Sequence, residues 1–226
     1  MADATDLAAV RTSYDRVAAE YAARLGGELA SKPLDRALLT AFAEQTPALG
    51  PIADIGCGPG QVARYLHDLG AVVEGIDLSP VMVAEARRFH PEIAFREGSL
   101  LDLPVEDATL GGIVAFYSLI HLTAAEVPRA VAEFARVLRP GGLVLAAFHL
   151  GHETVHLDEW WEQPVSLDFR YFAMDEMSGW FDGVGFVVEV RLERTPYAPH
   201  EYPSMRGYVL GRKVSVAHPA MEEKRG

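Results

Sequence analysis

A single cysteine, Cys57, occurs in the 226 residues. One thiol closes no intrachain disulfide and builds no thiolate cluster for a metal. That scarcity, and the lack of a basic start followed by an apolar core in MADATDLAAV, point to a reducing, cytoplasmic setting. Positive charge is scarce too. The 20 Lys and Arg residues stand against 32 Asp and Glu, for a formal net charge of −12, and no Lys/Arg cluster offers a surface for a phosphate backbone. Nucleic acid is therefore not an expected partner. No apolar run approaches the roughly 20 residues needed to cross a bilayer, so a membrane is not expected either, and repeats and low-complexity tracts are missing. Half of the residues are hydrophobic, enough for a sizeable core, and the length suits one α/β domain over residues 1–226.

What is present is organised around IADIGCGPG, Ile52 to Gly60. An apolar run stops at Asp54 and breaks into Gly56, Gly58 and Gly60 before a helical pattern begins. Glycine tolerates positive φ and lets a ligand approach the backbone, and the following helix offers unpaired N–H groups. The next strand, AVVEGID, ends in Asp77, where an acid about 20 positions beyond such a turn is placed to accept hydrogen bonds from a ribose. A nicotinamide-binding turn would read G-x-G-x-x-G, but here the third glycine comes one position early and Gln61 stands in its place.

With Asp54 before the glycines and Asp77 after them, the stretch resembles motifs I and II of the class I S-adenosylmethionine-dependent methyltransferases, and the resemblance extends over roughly Tyr14 to Phe148. It implies a Rossmann-like fold, with a seven-stranded, mostly parallel sheet flanked by helices, and S-adenosyl-L-methionine as cofactor, left as S-adenosyl-L-homocysteine. It also implies a cofactor site at Asp54, Gly56, Cys57, Gly58 and Asp77, with Leu78 and Met82 sandwiching the adenine. Family members often carry an acid where Ser99 stands; here the Ser99 hydroxyl or the Leu100 backbone would serve. An N-terminal helix of the form YDRVAAEY lies over the cofactor in this family, which implies a covering role for Tyr14 and Tyr21. The N/D/S-P-P-Y/F motif used on nucleic-acid bases is missing from LGGIVAFYSLIHL. A binding protein that keeps the cofactor site without transferring methyl, or a nicotinamide oxidoreductase, are the alternatives.

Local patterns fill in the elements. Val10, Tyr14, Val17 and Tyr21 fall on one face of a helix over Leu7 to Ala23. A second helix is expected from Ser31 to Glu44, with Ser31 as N-cap. The N-terminal 45 residues thus read as helices over the cofactor site. Val62, Leu66 and Leu69 make a helical stripe ended by Gly70. Ser79 and Pro80 open another helix, with Met82, Ala86 and Phe89 inward. Strands are expected at Ile93 to Arg96, in LGGIVAF and in LVLAAF. Between the last two, a helix begins near Thr123 with a capping-box partner in Glu126, and Pro128 kinks or restarts it. A further helix starts near Asp175, GFVVEVRLERT and GYVLGRKVSV are two final strands, and the tail from Ala217 is frayed.

Residues 149–172 are too long for an ordinary connection and are crowded with aromatic rings and with His149, His152 and His156. They read as an aromatic lid inserted after the fifth strand, over a pocket for a flat or apolar small molecule. Methyl transfer is an in-line displacement that needs an acceptor atom roughly 3 to 3.5 Å from the methyl group. A protic acceptor also needs a base, and histidine has the right pKa range. His121, after the fourth strand, is the first candidate and His149 the second. Tyr117 is placed to meet the cofactor through its backbone and the acceptor through its ring, and Tyr21 to line the transfer site. No metal is expected, because Gly151, Thr154 and Val155 work against a helix that would align the three histidines.

Overall fold

The computed structural model describes residues 4–214. Seven strands form one sheet in the order β3-β2-β1-β4-β5-β9-β8. They are β1 (Ile52–Ile55), β2 (Val73–Asp77), β3 (Ala94–Glu97), β4 (Leu110–Phe116), β5 (Leu138–His149), β8 (Phe186–Arg194) and β9 (Arg206–Lys213). The first five are mutually parallel, and β9 runs antiparallel to both its neighbours. The central strands are continuous apolar runs because helices cover both faces; all four residues of β1 are buried. On one face Phe42 of α2 (Pro33–Gln45), Leu66 of α3 (Gln61–Asp68) and Val83 of α4 (Pro80–Phe89) pack on the sheet. On the other, Phe134 of α5 (Val127–Val137) and Phe181 of α6 (Met174–Asp182) do so. Strand order reverses between β1 and β4, and at such a switch point the carboxyl ends of the strands leave an open crevice.

The chain covers that crevice with two elements. Helix α1 (Leu7–Leu25) starts at Asp6, whose side chain caps the Ala9 N–H. The buried face around Val17 is the one the periodicity marks. Strands β6 (Thr154–Trp160) and β7 (Gln163–Arg170) pair as a separate antiparallel hairpin, and Val165 and Leu167 pack on Val17. The aromatic insertion is thus a hairpin rather than a loop. Its two-residue tip, Trp161 and Glu162, has φ of 53° and 63°. A turn of that geometry normally draws Asn-Gly or Asp-Gly, so no local signal marked it.

Several expected boundaries move. The second helix starts at Pro33 after a short 3₁₀ turn, Glu28–Ser31, and the Ser31 hydroxyl donates back to the Glu28 carbonyl instead of capping. Proline at the first helical position fixes the start. Strand β3 lies one residue later than expected. Phe89 is exposed, since α4 ends there. Thr123 and Glu126 do pair, Oγ1 to Oε2 at 2.8 Å, but as a turn before α5, which begins with Pro128 in its first turn and so needs no kink. The tail from Ala217 lies outside the described residues. Among the described residues, no helix is long and apolar enough to cross a membrane.

Candidate active site

Gly56, Gly58 and Gly60 all have positive φ, of 73°, 51° and 89°. A Cβ on Gly56 would run into the Ser118 side chain, so glycine lets this turn lie against the end of β4. A Cβ on Gly58 would meet only the edge of Tyr21, 3.8 Å away; there the bare backbone faces a cavity. Two carboxylates frame the turn. Asp54 Oδ2 accepts the Ala63 N–H at 3.0 Å, which ties β1 to α3. Asp77 Oδ2 accepts the Gly58 N–H and Oδ1 the Ser79 N–H, both at 2.8 Å. Burial pushes the Asp54 carboxyl up to about 7 and that of Asp77 to about 6, against the hydrogen bonds that favour the charged forms.

This first cavity continues past Asp77 to Leu78, Met82, Gly98 and Leu100, an apolar slot at the ends of β2 and β3. Cys57 lies on its wall, and burial pushes the thiol well above its usual range, so it is a filler and not a thiolate. Ser99 is not on the wall; its hydroxyl accepts the Leu101 N–H at 3.2 Å. Helix α1 closes the other side with Tyr14 and Tyr21.

A second cavity opens beside the first, under the hairpin. Tyr14, Tyr21, Glu28, Lys32 and Tyr117 line both. Tyr117 reaches this position with φ of 56°, a left-handed conformation costly for a bulky residue. The hairpin supplies Trp160, Trp161 and Phe169. A register shift between Leu157 and Glu159 re-aims Trp160 to the face that carries Leu157. Trp160 then meets Tyr21 edge-on at 5.7 Å and stacks on Trp161 at 4.6 Å.

His121 sits between the cavities and the hairpin. Its Nδ1 is 3.0 Å from the Asp168 carbonyl, which can only accept, so Nδ1 carries the proton and Nε2 is the acceptor. The Tyr14 hydroxyl, 2.7 Å away, therefore donates to Nε2. Burial holds His121 down at about 4, neutral in ordinary buffers, and holds Tyr14 well above the usual phenol range. His149, at the end of β5, is fixed the other way round. Arg206 Nη1 donates to its Nδ1 at 2.9 Å, with Ser204 Oγ at 2.8 Å. Its proton is thus on Nε2, and burial beside the Arg206 guanidinium holds it down at about 3. His149 is a donor into the second cavity and has no free basic nitrogen. His152 is exposed and His156 lies outside on β6, where it pairs with Asp168 at 2.7 Å. Because strand and turn replace a helix, the three histidines do not converge.

A buried ion network behind this wall left no mark in the sequence. Arg194 holds Glu201 at 2.6 Å and Asp35 at 2.8 Å, and Tyr208 donates to Asp35 at 3.0 Å. Lys32 pairs with Glu28 at 2.6 Å and reaches Glu201 at 3.5 Å. Asp35 and Arg194 are 159 positions apart, so no local spacing announces the pair.

Residues 52–142 match the methyltransferase domain family. A malonyl-[acyl-carrier protein] O-methyltransferase of Pectobacterium atrosepticum is 31% identical over 112 residues, covering 50% of this chain and 44% of the relative. A probable S-adenosylmethionine-dependent methyltransferase of Mycolicibacterium smegmatis is 35% identical over 96 residues, 42% of this chain and 37% of its own length. The chain thus spans less than half the length of these curated relatives. Among solved structures, the magnesium protoporphyrin IX methyltransferase of Synechocystis, with bound S-adenosylmethionine, superposes with a TM-score of 0.69 at 17% identity, over 94% of this chain and 99% of that one. A methyltransferase of Methanosarcina mazei gives 0.66 at 16% identity, over 73% and 92%. These two share the fold.

Proposed function

We propose that this chain is a class I S-adenosylmethionine-dependent methyltransferase and that it methylates an oxygen, nitrogen or carbon atom of a small hydrophobic or aromatic metabolite; the match of residues 52–142 to the methyltransferase domain family supports the first part. One observation carries the reading: two adjoining cavities share Tyr14, Tyr21, Glu28, Lys32 and Tyr117. A donor in the first is thereby next to an acceptor in the second. S-adenosylmethionine supplies a methyl group made electrophilic by its sulfonium.

The residues present suit that group. The bare Gly58 backbone faces the first cavity, and Asp77 retains lone pairs for a ribose after accepting two N–H bonds. Gly56, Cys57 and Gly58 would hold the cofactor through the backbone, with Asp54 bracing the turn and Leu78, Met82 and Leu100 enclosing the adenine. Ser99 serves only by setting the backbone of that loop. Tyr14, Tyr21 and Tyr117 line the junction where the two ligands meet and exclude water from the transfer site. Where the acceptor is protic, its proton passes to the Tyr14 oxygen as the Tyr14 proton moves to His121 Nε2, and Asp168 holds the imidazole in the tautomer that can receive it. His149 orients the acceptor as a donor. The whole chain reads as one methyltransferase domain acting on a small-molecule acceptor.

The test is to incubate the protein with methyl-labelled S-adenosylmethionine and a bacterial extract separated into small-molecule, protein and nucleic-acid fractions. Label in the small-molecule fraction supports the reading. Label in protein or nucleic acid overturns the substrate class, and cofactor binding with no labelled fraction turns the reading toward a non-transferring binding protein.

A further inference from the structure

The second cavity has an apolar wall, made by the hairpin, and a polar wall that carries Lys32, His149 and Arg206 beside Glu28 and Glu201. Both oxygens of Glu201 are taken by Arg194, at 2.6 and 2.9 Å. Oε1 of the same group is also the nearest carboxylate to Lys32, after Glu28, and to Arg206, at 3.5 and 3.8 Å. Three cations thus share Glu201, but Arg194 also holds Asp35 and Lys32 also holds Glu28, which leaves Arg206 without a carboxylate of its own. Arg206 is the least compensated: it is 3% exposed, its terminal nitrogens go to Tyr202 and Ser204 carbonyls, the Ser204 hydroxyl and neutral His149, and its Nε has no hydrogen-bond partner. Lys32 Nζ and Arg206 Cζ each lie 5.5 Å from the centre of the Tyr117 ring, which stands at the junction of the two cavities. His149 adds an Nε2–H, because Arg206 occupies its other nitrogen.

We infer that the acceptor carries a carboxylate, seated against Arg206, His149 and Lys32, with its apolar body against Trp160 and Phe169. The inference rests on the methyl-transfer reading for the word acceptor, but the anion site itself does not. A carboxylate gives the under-compensated guanidinium a charge partner and accepts the His149 Nε2–H. An ammonium ligand would find Glu201 engaged by Arg194 and Glu28 engaged by Lys32, with two buried cations facing it. A neutral ligand would leave Arg206 as it stands.

The experiment is calorimetric titration with three probes of one shape: 2-naphthoate, 2-naphthamide and 2-naphthylmethylamine. S-adenosylhomocysteine is titrated separately to read the first cavity. Naphthoate is expected to bind, with the amide at least tenfold weaker and the amine not detected. Arg206→Gln should weaken naphthoate roughly thirtyfold or more, the lower range for losing one partner of a buried charge pair, without moving the affinity for S-adenosylhomocysteine. Should Arg206→Gln fail to fold, His149→Phe, which removes a donor that lines only the second cavity, provides the same contrast. Equal binding of naphthoate and its amide, tighter binding of the amine, or no naphthoate binding at millimolar concentration overturns the inference. Failure of S-adenosylhomocysteine to bind, with naphthoate still selected over the amide, would sink the methyl-transfer reading and leave the anion site standing.

Discussion

At the scale of single residues, Asp77 and the Tyr14–His121 pair divide the proposed chemistry between holding and transferring. Asp77 uses one lone pair on each oxygen to keep the glycine turn in place, so its removal loosens the cradle as well as the proposed ribose contact. Asp77→Ala should weaken S-adenosylhomocysteine binding about a hundredfold, the scale of two lost hydrogen bonds to a charged group. In the unaltered protein that affinity should decline as pH falls through about 6, where the carboxyl takes up its proton; a flat profile by calorimetry from pH 5 to 8 would remove the carboxylate from the binding step. Tyr14→Phe leaves His121 Nε2 buried without its donor, at a cost of about 1–3 kcal/mol in stability. With a protic acceptor, turnover should fall at least tenfold while S-adenosylhomocysteine affinity holds within about threefold, because the phenyl ring keeps the wall and only the proton path is cut; an unchanged kcat would exclude the relay. The glycine turn and Asp77 were legible because they lie within one short stretch of sequence. The pairing was not: His121 stood out as a candidate base and Tyr14 as a cover for the cofactor, but they are 107 positions apart and no spacing joins them.

At the scale of elements, the parallel strands and their helices announce themselves through apolar runs, proline and serine at helix starts, and glycine at their ends. Ser79 and Pro80 show this directly: the Ser79 hydroxyl accepts the Met82 N–H at 3.0 Å and the helix starts at Pro80. The hairpin did not, because its tip lacks turn residues and its inward face is broken by a bulge. Its position is set by tertiary contacts, with Arg16 donating to the Pro164 carbonyl at 2.9 Å and Ser13 accepting the Ser166 N–H at 2.8 Å. Those contacts join it to α1, so the cover over both cavities is a two-part structure. Trp160 is where the bulge matters for function. Trp160→Ala should raise the acceptor KM roughly tenfold, since a desolvated aromatic anchor is lost. S-adenosylhomocysteine affinity should change by less than about threefold, as Trp160 lines only the second cavity. A loss of cofactor affinity equal to the loss of acceptor affinity would mean that the hairpin closes both cavities together.

At the scale of the whole molecule, the two halves of the site place opposite demands on its stability. Asp54 is buried at the carboxyl end of β1, and its folded pKa of about 7 lies above its ordinary 3.8. Between those values the folded state binds more protons than the unfolded chain, so Asp54 makes stability fall as pH rises. His149 does the reverse. Its folded value of about 3 lies below its ordinary 6.5, so over that window the unfolded chain binds the extra proton and stability rises with pH. Asp77 adds to the first effect and His121, held at about 4, to the second. Between pH 4 and 6 all four windows overlap and the slopes oppose one another. Each group is worth about 1.4 kcal/mol per pH unit when it alone differs by a full proton between the states. Denaturant unfolding of the ligand-free protein from pH 4.5 to 6 therefore has a defined outcome. Asp54→Asn, which keeps an acceptor for the Ala63 N–H, should tilt the stability profile upward with pH by up to about that amount relative to the unaltered protein. His149→Gln should tilt it downward by a similar amount. Slopes that move the same way, or do not move, would mean that one of the two halves is not buried in solution as it is in this structure.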